Sequence, residues 1–277
     1  TASMVSLLGA VPVFADVDAK TYNLDPSKIE VLITSKTKAI IPVSLYGQCA
    51  DYDAINLIAE KHGLAVIEDG AQSFGATYKG KQSCNLTKIS TTSFFPSKPL
   101  GCYGDGGAIF TNDDELAQKI RWIRVHGQDK RYHHAVLGIN GRLDTLQAGI
   151  LLSKMRIFAS EVVLRAQVAQ RYDELFKDSE CVTPYLASGN TSVYAQYTLL
   201  VKDRDGLIKH LTANNIPTAV HYPIPLHKQP IFAENYHGQD LSVSEKTAAQ
   251  VISLPMHPYL DHATQDQIVA AVKQFIG

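Results

Sequence analysis

Short apolar stretches recur through the first half of the chain, with helical patterns between them. Residues 12–17, 39–43, 64–67, 89–95 and 108–111 read as strands. Between them, Ala54, Ile55, Ile58 and Ala59 fall at helical spacing over residues 51–63, with Asp51 placed as N-cap and Gly63 just past the end. Residues 115–126 carry Leu116, Ile120 and Ile123 along one helical face. Strands that are apolar throughout have to be covered on both faces, so the alternation predicts a mainly parallel sheet sandwiched by helices, an α/β fold. Ligands of such sheets bind beyond the carboxyl ends of the strands, where the unusual residues of this chain also collect.

The second half changes character. Residues 143–176 are helical in pattern, with neither proline nor glycine after Gly149. The domain boundary is expected along this helix, dividing a large domain, residues 1–160, from a smaller α+β domain, residues 161–277. The smaller one is expected to hold a strand over 193–201, a helix over 206–214 and a closing helix over 264–276, apolar at Ile268, Val269, Val272 and Phe275. The opening TASMVSLLGAVPVFADVD reads as a helix end running into a strand, so a preceding N-terminal part of a longer protein is expected.

Bulk properties remove several function classes. At 277 residues and 45 % hydrophobic content the chain can bury a substantial core. Its 26 basic and 27 acidic side chains nearly cancel, which leaves no single-sign field to attract nucleic acid. No window approaches a membrane span, and the N-terminus lacks a secretory layout. Cysteines 49, 84, 102 and 181 are too dispersed for zinc-ligand spacing or a disulfide framework, which fits reduced thiols in a cytoplasmic protein. A nicotinamide-dependent dehydrogenase is disfavoured because no G-x-G-x-x-G lies between a strand and a helix.

Four segments carry chemistry. In VIEDGAQSFGA, residues 66–76, an apolar strand ends in Glu68 and Asp69, with Gln72 three residues on. A carboxylate there suits a metal, a general base, a partner for a ligand cation, or a helix N-cap. In SFFPSKPLGCYGDGG, residues 93–107, Lys98 lies between Ser97 and Pro99 ahead of a glycine-rich loop. A lysine withdrawn from water can condense with an aldehyde to give a Schiff base, and the Ser93 hydroxyl suits a phosphate oxygen. INGRLDTLQAG, residues 139–149, puts Asn140 and Arg142 at a helix start, where they are either ligands or an ordinary turn and a solvated cation. HYPIPLHKQPIF, residues 221–232, is a proline-stiffened loop displaying His221, Tyr222 and His227.

Taken in order and spacing, EDGAQSFGA, TSFFPSKPLGCYGDGG, NGRLDTLQAG and YPIPLHKQ resemble the DegT-type family of pyridoxal-phosphate-dependent nucleotide-sugar aminotransferases, over essentially the whole chain. PVSLYGQ and the lysine segment are most similar to members that aminate C3 of a UDP-linked 3-keto-N-acetylglucosaminuronic acid. The resemblance implies the aspartate aminotransferase-like fold, type I, and pyridoxal 5'-phosphate as cofactor. Lys98 matches the lysine that holds the cofactor covalently and later shuttles a proton. Asp69 matches the acid paired with the pyridine nitrogen, Gln72 the residue against the ring face, and Ser93 a phosphate ligand.

Asn140 matches an asparagine that reaches the cofactor phosphate of a neighbouring subunit, and Arg142 a cation near the substrate carboxylate. His221 and Tyr222 match substrate-binding positions contributed across the same interface. The resemblance therefore implies a homodimer with shared sites, using an amino acid donor such as glutamate and a nucleotide-sugar acceptor, in surface polysaccharide (O-antigen, lipopolysaccharide) biosynthesis. A dehydratase branch carries histidine where this chain has Lys98. Two departures stand out: Ser44 replaces a histidine common in relatives, and no phosphate-cradling Gly-Thr-Ser-like segment is present. The alternatives are a 4-keto sugar aminotransferase of the same family, or a fragment that keeps only the fold and the dimer interface.

Overall fold

The computed structural model describes residues 1–234, 236 and 238–277. The chain starts with helix α1 (Ala2–Leu7), strand β1 (Ala39–Ile40), helix α2 (Tyr52–Lys61) and strand β2 (Ala65–Asp69). A small hairpin, β3 (Thr77–Tyr78) and β4 (Lys81–Gln82), precedes β5 (Ile89–Ser93), β6 (Gly107–Phe110) and α3 (Asp114–Arg124). A second hairpin, β7 (Gln128–Lys130) and β8 (His133–His134), leads into the long α4 (Thr145–Phe176). The remainder runs β9 (Tyr197–Leu200), α5 (Arg204–Ala213), α6 (Pro230–Ala233), α7 (Ser242–Gln250), β10 (Val251–Leu254) and α8 (His262–Ile276).

Four strands form the main sheet in the order β1-β2-β5-β6. The β1–β2 and β2–β5 pairings are parallel, as the apolar strand pattern predicts, and β6 returns antiparallel to β5. This return needs a glycine: a Cβ on Gly107 would stand 2.8 Å from the Thr92 carbonyl oxygen across the pair. The α2 boundaries follow local chemistry. The Asp51 carboxylate accepts from the Ala54 N–H at its start, and Gly63 adopts φ +61° just beyond its end.

The period of two decides the fate of the two carboxylates that end β2. Glu68 turns inward and is fully buried; it accepts from the Cys84 N–H at 2.6 Å, the Leu86 N–H at 3.1 Å and the Ser83 hydroxyl at 3.1 Å. Burial raises its carboxyl above the ordinary range, against the lowering effect of those donors. Asp69 turns to the other face, toward the site. Glu68 is therefore an anchor for the loop after β4, and Asp69 is the chemical group.

Three of the expected strands differ. Residues 12–17 form no strand; Val17 makes a single bridge to Leu24. That segment is held instead through buried Asp16, whose carboxylate accepts from the Val243 and Ser244 N–H groups at the start of α7. Residues 39–43 pair only at Ala39 and Ile40, since Pro42 has no N–H to offer the ladder, and Val43 resumes with a lone bridge to Asp69. The strand expected over 193–201 is confined to Tyr197–Leu200, paired antiparallel with β10.

The C-terminal core packs α4 from Val168 onward against β9, β10, α5 and α8, with Tyr172, Tyr197, Leu199, Leu207, Leu211 and Val272 sealed from solvent. A second cluster joins α2 to β1 and β2 through Ile55, Ala59, Ile40 and Val66. A third places Phe94, Leu100 and Cys102 against Leu151 of α4. It clamps both ends of the lysine loop to the long helix. No helix of the described residues is long and apolar enough to cross a membrane.

Glu68→Ala leaves two backbone donors without a partner inside the protein. A loss on the order of 3 kcal/mol is expected, read as a lower urea midpoint with an unchanged slope.

Candidate active site

The site is assembled at the carboxyl ends of β2 and β5. Asp69 is the last residue of β2, fixed by its own N–H to the Pro42 carbonyl at 3.0 Å and by the Ser44 N–H to its carbonyl at 3.0 Å. One carboxylate oxygen accepts from the Ala71 N–H at 3.1 Å, and the other accepts from the Thr1 hydroxyl.

Lys98 is carried by a tight loop after β5. The Lys98 N–H donates to the Phe95 carbonyl at 2.9 Å, and the Cys102 N–H returns to the Phe94 carbonyl at 2.8 Å. The turn closes so tightly over Pro96 that a Cβ at Gly101 would lie 2.6 Å from the Pro96 carbonyl oxygen. From α4, the Lys154 ammonium pins the Gly101 carbonyl at 2.6 Å. Lys98 itself is half-buried. Burial pushes its ammonium below the ordinary lysine range, and the negative charge of Asp69 partly opposes that fall. The outcome is an amine that loses its proton more readily than an exposed lysine does.

Gln72 is buried and gripped at both ends of its amide. Its oxygen accepts from the Tyr46 N–H at 2.7 Å, and its nitrogen donates to the Tyr222 hydroxyl at 3.2 Å. Tyr46 adopts φ +60°, and its phenol donates to the His221 carbonyl oxygen. The His221 ring nitrogen Nδ1 lies 2.9 Å from the Ser253 hydroxyl of β10. Burial and then the nearby Lys98 charge lower the His221 pKa, which favours neutral imidazole.

Asp69, Gln72, Lys98, His221 and Tyr222 thus converge. The resemblance implies that His221 and Tyr222 reach a site across the interface; within this chain the Tyr222 hydroxyl accepts from Gln72 and the His221 carbonyl from Tyr46. Ser93 ends β5, where its oxygen accepts from the Phe95 N–H at 3.2 Å and its own hydrogen stays available to donate. Asn140 and Arg142 are exposed on the approach to α4, with Arg142 Nη1 3.5 Å from His126 Nε2. Tyr46 and Ser253 escaped the sequence reading. Tyr46 lies inside a noticed phrase whose backbone turn only the fold reveals, and Ser253 is one hydroxyl in the apolar run VISL.

The profile of the DegT/DnrJ/EryC1/StrS aminotransferase family matches residues 1–273. The chain belongs to this family. It is 61 % identical over 272 residues to the UDP-2-acetamido-2-deoxy-3-oxo-D-glucuronate aminotransferase of Pseudomonas aeruginosa, covering 98 % of this chain and 75 % of that one. The crystal structure of a DegT DnrJ EryC1 StrS aminotransferase from Brucella abortus superposes with a TM-score of 0.96 at 44 % identity, over 100 % of this chain and 76 % of that one. The structure of ntda from Bacillus subtilis, with bound cofactor PMP, superposes with a TM-score of 0.90 at 32 % identity, over 99 % and 64 % of the two chains.

The family's cofactor, pyridoxal phosphate, fits the residues present. It carries an aldehyde for an amine, a basic ring nitrogen for a carboxylate, a flat face and a phosphate. The chain offers a half-buried Lys98 amine, the Asp69 carboxylate whose charge it feels, an amide of Gln72 held rigid at both ends, and the Ser93 hydroxyl as a donor.

Because Asp69 holds the Lys98 ammonium up against burial, Asp69→Asn is expected to lower the Lys98 pKa further. The check is the pH dependence of Lys98 modification by an amine-reactive reagent, followed by peptide mapping of the cofactor-free protein. A midpoint that moves up, or stays put, would show that the two groups are not electrostatically linked.

Proposed function

We propose that this chain is a pyridoxal-phosphate-dependent aminotransferase that moves an amino group from an amino acid, glutamate, to the C3 keto group of a UDP-linked N-acetylglucosaminuronic acid. The observation that carries the reading is Lys98, half-buried with a depressed ammonium and sharing a strand-end corner with Asp69. The 61 % identity to the Pseudomonas aeruginosa enzyme supports the choice of sugar.

The Lys98 amine would hold the cofactor, and its Nζ is the group of this chain that would take up and return the proton. Bound there, the cofactor supplies an electron sink for the carbon that loses or gains that proton. Lys98 suits the shuttle because burial lowers its ammonium, so the amine gives up a proton more readily than an exposed lysine does. Asp69 would favour a protonated ring nitrogen by its negative charge. Gln72 would support the ring face, and Ser93 would donate to the phosphate.

His221 and Tyr222 face the same corner and bind the sugar. Asn140 and Arg142, exposed on their own chain, serve the phosphate and the substrate carboxylate of a second subunit in a homodimer, the guanidinium suiting a carboxylate. The free thiols Cys49, Cys84, Cys102 and Cys181 support a cytoplasmic location, and the sugar class supports a role in O-antigen and lipopolysaccharide assembly.

The test is turnover of a panel of keto-sugar nucleotides with glutamate. The 3-keto uronic acid is expected to be the best acceptor; success of a 4-keto sugar alone would overturn the choice of substrate. Lys98→Ala is expected to lose the absorption band that pyridoxal phosphate raises in the native chain. Its turnover is expected to fall by about a thousandfold or more.

A further inference from the structure

Behind His221 runs a short chain of buried hydroxyls. Ser253 and Thr198 are directly opposite each other in the β9–β10 pair, at 5 % and 1 % exposure. Their hydroxyl oxygens are 2.9 Å apart, and the Ser253 oxygen is 2.9 Å from His221 Nδ1. The backbone of Ser253 exchanges two hydrogen bonds with Ala219, two residues before His221, so the donor and the ring share one support. On its other side, the His221 carbonyl is held by the Tyr46 phenol, and the Tyr222 ring meets the imidazole edge-on at 5.6 Å.

Counting hydrogens decides the direction of this chain. Among the described residues the Thr198 hydroxyl has Ser253 as its single side-chain partner. If Nδ1 carried a hydrogen, Ser253 would have to accept it, and the two contacts would then have three hydrogens to place, leaving the Ser253 or the Thr198 hydrogen buried without an acceptor. If Nδ1 carries none, Thr198 donates to Ser253 and Ser253 donates to Nδ1, so every hydrogen is used. We propose that Ser253, backed by Thr198, is a positioning residue that holds His221 in the tautomer with Nδ1 accepting and the Nε2–H free to donate.

In that state the ring presents a neutral N–H, on the side away from Ser253, to an oxygen acceptor such as a keto or carboxylate group of the substrate. This last clause rests on the aminotransferase reading; the tautomer does not. The lowering of the His221 pKa by burial and by Lys98 agrees with a neutral ring. A proton added to Nδ1 would also force the Ser253 hydroxyl to turn from donor to acceptor.

The experiment is nitrogen NMR of the full chain labelled with [15N]histidine, with His221 assigned through His221→Gln. The native protein is expected to show a hydrogen on Nε2 and none on Nδ1. Ser253→Ala is expected to give a mixture of tautomers and to lower kcat/KM by about tenfold, the effect of one hydrogen bond. The isosteric Thr198→Val leaves Nδ1 as the only side-chain acceptor for the Ser253 hydrogen among the described residues, so it is expected to keep the Nδ1-accepting tautomer. A native Nδ1–H form, or a tautomer unchanged in Ser253→Ala, overturns the proposal. The native tautomer with the Ser253→Ala shift, in a chain that aminates no keto sugar, upholds the relay and rejects the functional reading instead.

Discussion

The relation between the Asp69 carboxylate and the Lys98 ammonium is the constraint around which this structure is organised. Neither group would be unusual alone. Lys98 is held half out of water, where its charged form is costly, and the Asp69 charge counters that cost. The balance leaves an amine that loses its proton more readily than an exposed lysine, on a backbone turn closed by the Lys98 N–H to the Phe95 carbonyl. It depends on two strand ends being neighbours, and the parallel β2–β5 pairing, with Asp69 opposite Thr91, supplies that.

Much of the surrounding structure keeps this pair in register. Glu68 ties the loop after β4 beneath the sheet, so the strand bearing Asp69 cannot slide without orphaning the Cys84 and Leu86 amides. Phe94, Leu100 and Cys102 anchor the lysine loop against Leu151, while Lys154 grips it from above. The long helix α4 joins that cluster to the C-terminal core, which buries Val168, Tyr172 and Phe176 of the same helix. A single rigid element therefore carries both the loop that presents Lys98 and the core whose strands present His221.

The C-terminal part is more than a lid or spacer. Its β9–β10 pair places Ser253 behind His221, and the loop beyond Ala219 brings Tyr222 to Gln72 and the His221 carbonyl to Tyr46. Asp16, clasping the start of α7, fastens the N-terminal segment to the same unit. Polar groups from the first fifty residues, the sheet and the last thirty thus meet over one corner. The Gln72 amide, the Tyr46 phenol and His221 Nδ1 each have a named partner there, which spares a water-poor site the cost of leaving them unpaired.

Local periodicity and chain chemistry determined a good deal on their own. The parallel β1, β2 and β5, the capped α2, the long α4 and the closing α8 follow from patterns that hold within a dozen residues. Lys98 and Asp69 could be singled out because proline, glycine and strand-end positions mark them in the chain itself. The pairing of β10 with β9 was not legible, since a four-residue apolar run such as VISL suits a strand or a buried helix equally. Asp16 as a clasp, Tyr46 and Ser253 as supports, and His221 and Tyr222 as members of their own chain's corner were decided by tertiary structure alone. The physical reason is that a hydrogen bond between residues 32 to 228 positions apart leaves no trace in either neighbourhood; only the closing of the fold brings donor and acceptor together.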